Sequence, residues 1–538
     1  MVLSYEGLKD RAAWQSAGIK LPEYDIEQIR KNTLECTKWV HIGGGNIFRA
    51  FIARNHQALL NCGLTDSGIL AVSPHDTEII EKCYKPYDSL TLCVTLGANG
   101  DVEKEVIASV ARGIRGTKCS EEERALLVNA FRNPLLQMVS FTITEKGYAL
   151  KDMQGTYFPA VMADFENGPE KCTHTMSLIV ALLYKRFESC AAPVALVSMD
   201  NCSGNGDVLK HSIMDVARHW QAGGFVSREF LDWLSENRNV SFPWSMIDKI
   251  TPRPSKEIQE MLARDGVENM EMSVTSRNTF VAPFVNAESS EYLVIEDDFP
   301  NGRPPLEKAG VYMTDRHTVN CTEKMKVMTC LNPLHTALAV FGCMLGYTSI
   351  ASEMKDEDLK ALVNRIGFDE GMKVVVNPGI IRPDDFIHEV LENRFPNPLI
   401  PDTPQRIATD TSQKMPIRFG ETIRSYVKSE ELNAADLVYI PLVIAGWMRY
   451  LLGVDDAGEP MPCSSDPLLS SLQNELREIH FGDSEVKAGS LGRILSNEKI
   501  FANDLVKIGL SGKIEAMLGQ MIAGPGAVRK TLHAYVNQ

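Results

Sequence analysis

The chain is expected to form an α/β amino-terminal domain on a parallel-rich sheet, followed by a mostly α-helical carboxy-terminal domain. Three observations carry that expectation. Apolar, strand-like runs alternate with helix-length stretches through the first half, a rhythm that gives parallel strands joined by helices on both faces. A proline- and glycine-rich passage, Asp297-Asp298-Phe299-Pro300-Asn301-Gly302-Arg303-Pro304-Pro305, interrupts it. Beyond about residue 320 the signals are helical. We therefore place the domains at 1–297 and 298–538.

In chain order, Lys38–Ile42, Gly68–Ser73, Gln137–Ile143 and Val194–Met199 read as buried strands, because each is a short continuous apolar run. Asn46–Leu60 and Thr173–Phe187 read as helices between them. Asp356–Asn364 reads as a further short helix, and Ser429-Glu430-Glu431-Leu432 as a helix start, a serine cap followed by first-turn acids. The longest apolar stretch, Leu437–Leu452, contains Pro441 and Arg449. It falls short of the roughly 20 residues a membrane span needs and reads as a buried helix.

Charge and cysteine usage narrow the function classes. A net charge of −15 argues against sequence-independent nucleic-acid binding, which needs clustered lysine and arginine. It leaves room for a small anionic substrate met by a local basic cluster. The twelve cysteines form no CxxC pair and no Cys/His cluster with zinc spacing. Free thiols in a reducing cytoplasm, with no metal, are the expectation. The first residues lack the basic and apolar regions of a signal peptide, so no membrane partner is expected.

Trp39-Val40-His41-Ile42 runs into Gly43-Gly44-Gly45-Asn46-Ile47-Phe48-Arg49. Strand, glycine turn and helix in that order form a dinucleotide-binding turn: glycine admits a pyrophosphate close to the backbone, and the helix start offers unpaired N–H groups. Phe48 stands where GxGxxG has its third glycine, so a tight turn without a ligand is the alternative. Asp76, beyond the second strand, is the candidate acceptor for the adenosine ribose hydroxyls. Alternatively it N-caps a helix starting at Thr77.

Four segments carry a family resemblance. They are Gly43-Gly44-Gly45-Asn46-Ile47-Phe48-Arg49-Ala50-Phe51, Thr142-Ile143-Thr144-Glu145-Lys146-Gly147-Tyr148, Ser198-Met199-Asp200-Asn201 with Gly204-Asn205-Gly206, and Ile247-Asp248-Lys249-Ile250-Thr251-Pro252. Together they resemble the polyol-specific long-chain dehydrogenase family, which includes mannitol dehydrogenases and bacterial uronate reductases. Lys249 replaces an arginine of the family pattern. The resemblance implies a Rossmann-like first domain, NAD as hydride carrier, no catalytic metal and a small sugar-acid or polyol substrate. It implies cofactor contacts from Gly43, Gly45, Asn46, Ile47, Phe48, Arg49, Asp76, Thr144 and Glu145, and a substrate contact from Asp248.

The stretch Lys326-Val327-Met328-Thr329-Cys330-Leu331-Asn332-Pro333-Leu334-His335 sets an ammonium, a carboxamide and an imidazole close together in an apolar segment. Those groups take a proton from an alcohol and hold its oxygen during hydride transfer. The similar family element is K-x4-N-x2-H. Here Lys326 lies one residue further from Asn332, while Asn332 to His335 keeps the spacing. Glu323 favours Lys326 over Lys324 as the base. At about 100° per residue the extra position swings Lys326 off the Asn332/His335 face of a regular helix. A π-bulge or a break is therefore expected between them, with Asn332 as cap and Pro333 in the first helical position.

By the resemblance, Lys326 is the general acid/base, a role that needs an amine made less basic by desolvation. Asn201 and Asn332 donate to the substrate oxygen, and His335 bonds a neighbouring hydroxyl. Arg406 and Lys414, with Arg394 nearby, form a basic cluster suited to a carboxylate. Each residue has a plainer alternative: a surface lysine, asparagine turns or caps, a satisfied core histidine, a solvated arginine. The combined reading is an NAD-dependent oxidoreductase acting on a keto-hexuronate/aldonate pair, D-fructuronate and D-mannonate first. Mannitol 2-dehydrogenase or tagaturonate reductase activity are the close alternatives, and a non-catalytic NAD(H)-binding sensor is the one from a different class. A monomer or small homo-oligomer is expected.

Overall fold

The computed structural model describes residues 1–538 apart from Asn99, Met153 and Gln538. Two compact units emerge, Met1–Asn320 and Cys321–Gln538. In the first, short apolar runs become six parallel strands: β1 (Trp39–Ile42), β2 (Ile69–Ser73), β3 (Val110–Arg115), β4 (Met138–Phe141), β5 (Val194–Ser198) and β6 (Val240–Ser241). Their order is β3-β2-β1-β4-β5-β6, with β1 paired parallel to both β2 and β4. The chain builds outward from β1 in one direction and then returns to build outward in the other. That doubly wound order places a ligand crevice at the carboxyl ends of β1 and β4.

Every residue of β1, β2, β4 and β5 is buried, as strands covered on both faces must be. His41 is the polar member of β1. Its Nδ1 lies 2.7 Å from Ser140 Oγ and its Nε2 2.9 Å from Thr142 Oγ1, so the imidazole is satisfied, and burial pushes its pKa well down. The helices follow as expected, Phe48–Ile52 as a π turn running into Ala53–Asn61, and Thr175–Ser189 later.

Two smaller sheets join the first unit. One has the order Ile19–Lys20, Val102–Ile107, Thr91–Leu96, Phe284–Glu288, and the other Ser245–Asp248, Tyr292–Glu296, Tyr312–Thr314. The second moves the expected boundary. Tyr312–Thr314 pairs parallel with Tyr292–Glu296, so the proline-rich passage at 297–305 is a loop inside the first unit, which runs on to Asn320.

The second unit is helical. Asn332–Met344 packs on the buried helix Tyr439–Leu451, and Glu370 caps the latter by accepting the N–H groups of Val438, Tyr439 and Ile440. Asp356 caps Glu357–Asn364 as the sequence suggested. Ser429 does not start a helix: it closes Glu421–Lys428. Its hydroxyl accepts from Glu431 and Leu432 N–H, the same bonds a cap makes, but the chain turns away. Leu437–Leu452 holds the buried helix Tyr439–Leu451, as expected. The helical run Arg316–Met344 is long and apolar enough to cross a membrane by length and composition, with 78% of its apolar window buried. Within it, helical geometry breaks at Leu331.

Candidate active site

The glycine turn leaves β1 at the crevice. Gly43 has φ +127°, a left-handed value that favours glycine, and a Cβ there would collide with the Thr142 carbonyl. Gly43 N–H instead donates to Val72 O at 2.8 Å. A Cβ on Gly45 would meet nothing within 4 Å, so that backbone faces open space where a pyrophosphate can approach. Asn46 and Arg49 brace the turn. Asn46 Nδ2 donates to Pro252 O (3.3 Å), Arg49 Nη2 to Asn46 Oδ1 (3.0 Å) and Arg49 Nη1 to Ala282 O (2.8 Å). Phe48 is buried and stacks on His41 at 3.9 Å, and Ile47 packs against the same core. The third-glycine position is thus filled by a core aromatic, and the residues present fit a dinucleotide.

Asp76 follows β2 and does not cap a helix with its side chain. Its Oδ2 accepts the Thr275 hydroxyl at 2.8 Å, while its carbonyl accepts Ser73 Oγ at 2.8 Å. Beyond β4, Thr144 has φ +63° and, with Glu145, is exposed. Asp200 fixes that loop, accepting from Ile143 N (2.9 Å), Thr144 N (3.1 Å) and Tyr148 Oη (2.6 Å). Burial raises the Asp200 pKa against these donors. Asn205 clamps the following turn by donating to Ser198 O, Asp200 O and Ser245 O. Asn201 stands exposed just past β5, and Asp248 is buried at the end of Ser245–Asp248. Lys249 donates to Glu288 O (3.0 Å) and pairs with Glu291 (2.6 Å).

In the second unit Lys326 is 5% exposed within the π segment Met325–Cys330. Leu331 N–H donates to Lys326 O at 3.1 Å, closing an i→i+5 turn. Leu331 then leaves helical geometry (φ −130°, ψ −63°), and Asn332–Met344 begins with Pro333 in its first turn. Both devices expected for the extra residue, a widened turn and a break, are present. One detail differs: Leu331, not Asn332, holds the cap position, and no side chain caps this helix. The Asn332 carboxamide is therefore not engaged in capping.

His335 Nε2 lies 3.0 Å from Asp402 Oδ2, and its ring packs 5.1 Å from Phe395. Burial lowers the His335 pKa, Asp402 opposes that, and Arg418 and Arg406 reinforce it. Asp402 is buried and also accepts Arg406 Nε at 3.0 Å, with Nη2 on the same oxygen. Burial works against its charge, but His335 and Arg406 outweigh it and hold the carboxyl below its usual range. The basic cluster is thus anchored by the chain itself. Lys414 Nζ donates to Ile407 O at 2.9 Å and to Thr409 O. Burial, then the nearby Arg418, bring its pKa down to about 8. Arg394 is buried at the end of the π segment Val390–Arg394, which removes the solvated-surface alternative.

Sequence reasoning missed Asp402 and Arg418. Asp402 precedes Arg406 by four residues, but it lies before the short helix Pro404–Ile407, so helix-face charge pairing did not announce it. Arg418 follows Lys414 by four and reaches Thr336 Oγ1 and Asn332 O. Burial lowers its pKa to about 10.

Comparison with known proteins covers nearly the whole chain. Residues 37–308 match the mannitol dehydrogenase Rossmann domain and residues 318–521 the mannitol dehydrogenase C-terminal domain. The chain is 53% identical to the D-mannonate oxidoreductase of Thermotoga maritima, covering 100% of this chain and 99% of that one. A substrate-free D-sorbitol dehydrogenase structure shares 25% identity and a TM-score of 0.76, covering 96% of this chain and all of that one. The ternary complex of Pseudomonas fluorescens mannitol 2-dehydrogenase with NAD and D-mannitol shares 26% identity and a TM-score of 0.72, covering both chains fully.

Proposed function

The chain belongs to the mannitol dehydrogenase family, and on that premise we propose that it is an NAD-dependent oxidoreductase interconverting D-mannonate and D-fructuronate. One observation carries the chemistry. Lys326 is buried one widened turn before Asn332 and His335, an amine, amide and imidazole on one fixed backbone. The named relative at 53% identity supports the substrate. The extra residue before Asn332 and Pro333 are the sequence features that favour a non-catalytic sensor; a π segment that accommodates the extra residue supports the catalytic reading instead.

Gly43, Gly45 and Asn46 would hold the pyrophosphate and Asp76 the adenosine ribose, with Ile47, Phe48, Arg49, Thr144 and Glu145 shaping the site. When bound, the nicotinamide supplies or accepts the hydride. In oxidation Lys326 Nζ takes the proton of the reacting hydroxyl, and in reduction it returns it. The Asn332 carboxamide donates to the same oxygen as negative charge gathers on it, a contribution of a few kcal/mol for such preorganised donors. Asn201 is proposed as a second amide donor. His335 gives its Nε2–H to Asp402, which leaves Nδ1 to accept from a neighbouring substrate hydroxyl. Lys414, Arg418 and Arg394 supply positive charge for the substrate carboxylate, with Arg406 already committed to Asp402, and Asp248 is proposed as a substrate contact. Assaying NADH oxidation with D-fructuronate, D-tagaturonate and D-fructose tests the proposal: fructuronate should give the highest kcat/KM. Turnover confined to fructose would overturn it.

A further inference from the structure

A two-stranded ribbon, Ser273–Val274 paired antiparallel with Phe280–Val281, belongs to the first unit, and none of the roles proposed above falls on it. Val274, Ser276, Arg277, Asn278 and Thr279 at its tip are exposed, yet Thr275 among them is buried. The tip is a tight turn. Thr275 N–H donates to Thr279 O and Asn278 N–H to Thr275 O, both at 2.9 Å. The Thr275 hydroxyl accepts Arg277 N–H (3.3 Å) and Thr279 N–H (3.4 Å) and donates to Asp76 Oδ2 at 2.8 Å.

Its bonding capacity is thereby accounted for. A hydroxyl has one proton and two lone pairs; here the lone pairs face two backbone N–H groups, so the single proton goes to the carboxylate. The ribbon itself is seated next to Asp76 by two other ties, Ser276 N–H to Glu78 Oε1 (2.8 Å) and Lys82 Nζ to Val274 O (3.0 Å). Burial, and after it the charge of Arg277, opposes protonation of His75, the neighbour of Asp76. One oxygen of Asp76 is therefore pinned from a segment 199 residues away, and Arg277, whose N–H donates to the same Thr275 hydroxyl, is a cation on that turn.

We propose that Thr275 is a positioning residue that holds the Asp76 carboxylate ready for the adenosine ribose and thereby sets the preference for NAD over NADP. The proposal rests on Asp76 being the ribose acceptor. A pinned carboxylate accepts a ribose hydroxyl without first losing rotational freedom and repels a 2′-phosphate. Once unpinned it turns aside, and Arg277 remains to meet that phosphate.

The test is NADH and NADPH binding to the full chain by fluorescence titration, which needs no substrate. Thr275→Val should raise the Kd for NADH about tenfold, the worth of one charge-assisted hydrogen bond, and leave NADPH binding unchanged or tighter. Thr275→Ser, which keeps the hydroxyl, should restore NADH binding. Glu78→Ala cuts a ribbon tie without touching Asp76 and should leave the NADH/NADPH ratio intact. Equal losses for both dinucleotides, no loss in Thr275→Val, or a Glu78→Ala variant that shifts the ratio as much as Thr275→Val, would overturn the proposal. Asp76→Asn separates the causes. If it leaves NADH affinity untouched, the ribose assignment falls and this inference with it; if only Asp76→Asn has an effect, Thr275 alone loses its role.

Discussion

Replacing Asp402 with asparagine tests whether His335 is held for its task by a buried charge. Asp402 accepts His335 Nε2 and Arg406 Nε, each at 3.0 Å. The two partners are not equal: the Arg406 side chain is 65% exposed, against 16% for His335 and 7% for Asp402. An exposed guanidinium adds at most about 1 kcal/mol, so most of the effect lies on the imidazole side. Asparagine keeps the volume and removes the charge. A hydrogen bond to a charged group is worth about 1.5–3 kcal/mol and a neutral one about 0.5–1.5, so the change costs about 1–1.5 kcal/mol. If that bond orients His335 in the transition state, kcat/KM for fructuronate falls about tenfold. NADH binding is unaffected. Asp402 also raises the His335 pKa against burial, so the variant should shift the acid limb of the pH–rate profile to lower pH. Initial rates of NADH oxidation across that pH range, with urea unfolding as a folding control, decide the matter. A variant within twofold of wild type at every pH, and equally stable, would refute the reasoning.

Two further predictions address the base and the acid stability of the fold. Lys326→Ala should lower turnover by about two to four orders of magnitude, the usual worth of a positioned acid/base, while NADH titrates as in wild type. Retained turnover would remove Lys326 from its role. His56 donates from Nε2 to Ser67 O at 2.7 Å, with Nδ1 buried and unpartnered, and burial lowers its pKa to about 4 despite that bond. The unfolded chain takes up the proton first, so the stability is whole above about pH 6.5 and is lost as pH falls toward 4, by about 3 kcal/mol. The urea midpoint should drop between pH 7 and 4.5, less so in His56→Gln; a flat midpoint would contradict the sign.

Parts of this fold were legible because local sequence decides them. β1, β2, β4 and β5 are short, mostly apolar runs with one His or Ser each, and such runs in a chain of this rhythm are buried on both faces. β3 was not: Val110-Ala111-Arg112-Gly113-Ile114-Arg115 carries two arginines, and its place in the sheet depends on pairing with β2. The smaller sheets escaped for the same reason, since Ile19–Lys20 pairs with residues more than eighty positions away. At the site, the glycine turn stood out from its residues, and the Lys326–His335 stretch from its resemblance to the family element despite the changed spacing. Thr275 did not, because nothing near it in sequence announces Asp76.

The π segments bear on how residue spacing is read in this chain. Arg49, Lys326, Arg394 and Arg418 each lie in one: Phe48–Ile52, Met325–Cys330, Val390–Arg394 and Pro416–Gly420. A π turn accommodates one more residue than an α turn, and such turns gather at functional sites. In Met325–Cys330 the extra residue enters upstream of Leu331, so the Asn332-to-His335 spacing on the regular helix that follows is untouched. The widened turn and the break at Leu331 lie between Lys326 and Asn332, so on the proposed reading they place the base without disturbing Asn332 and His335. On the proposed function, the chain departs from the family count by one position while the widened turn leaves Lys326 to act as the base.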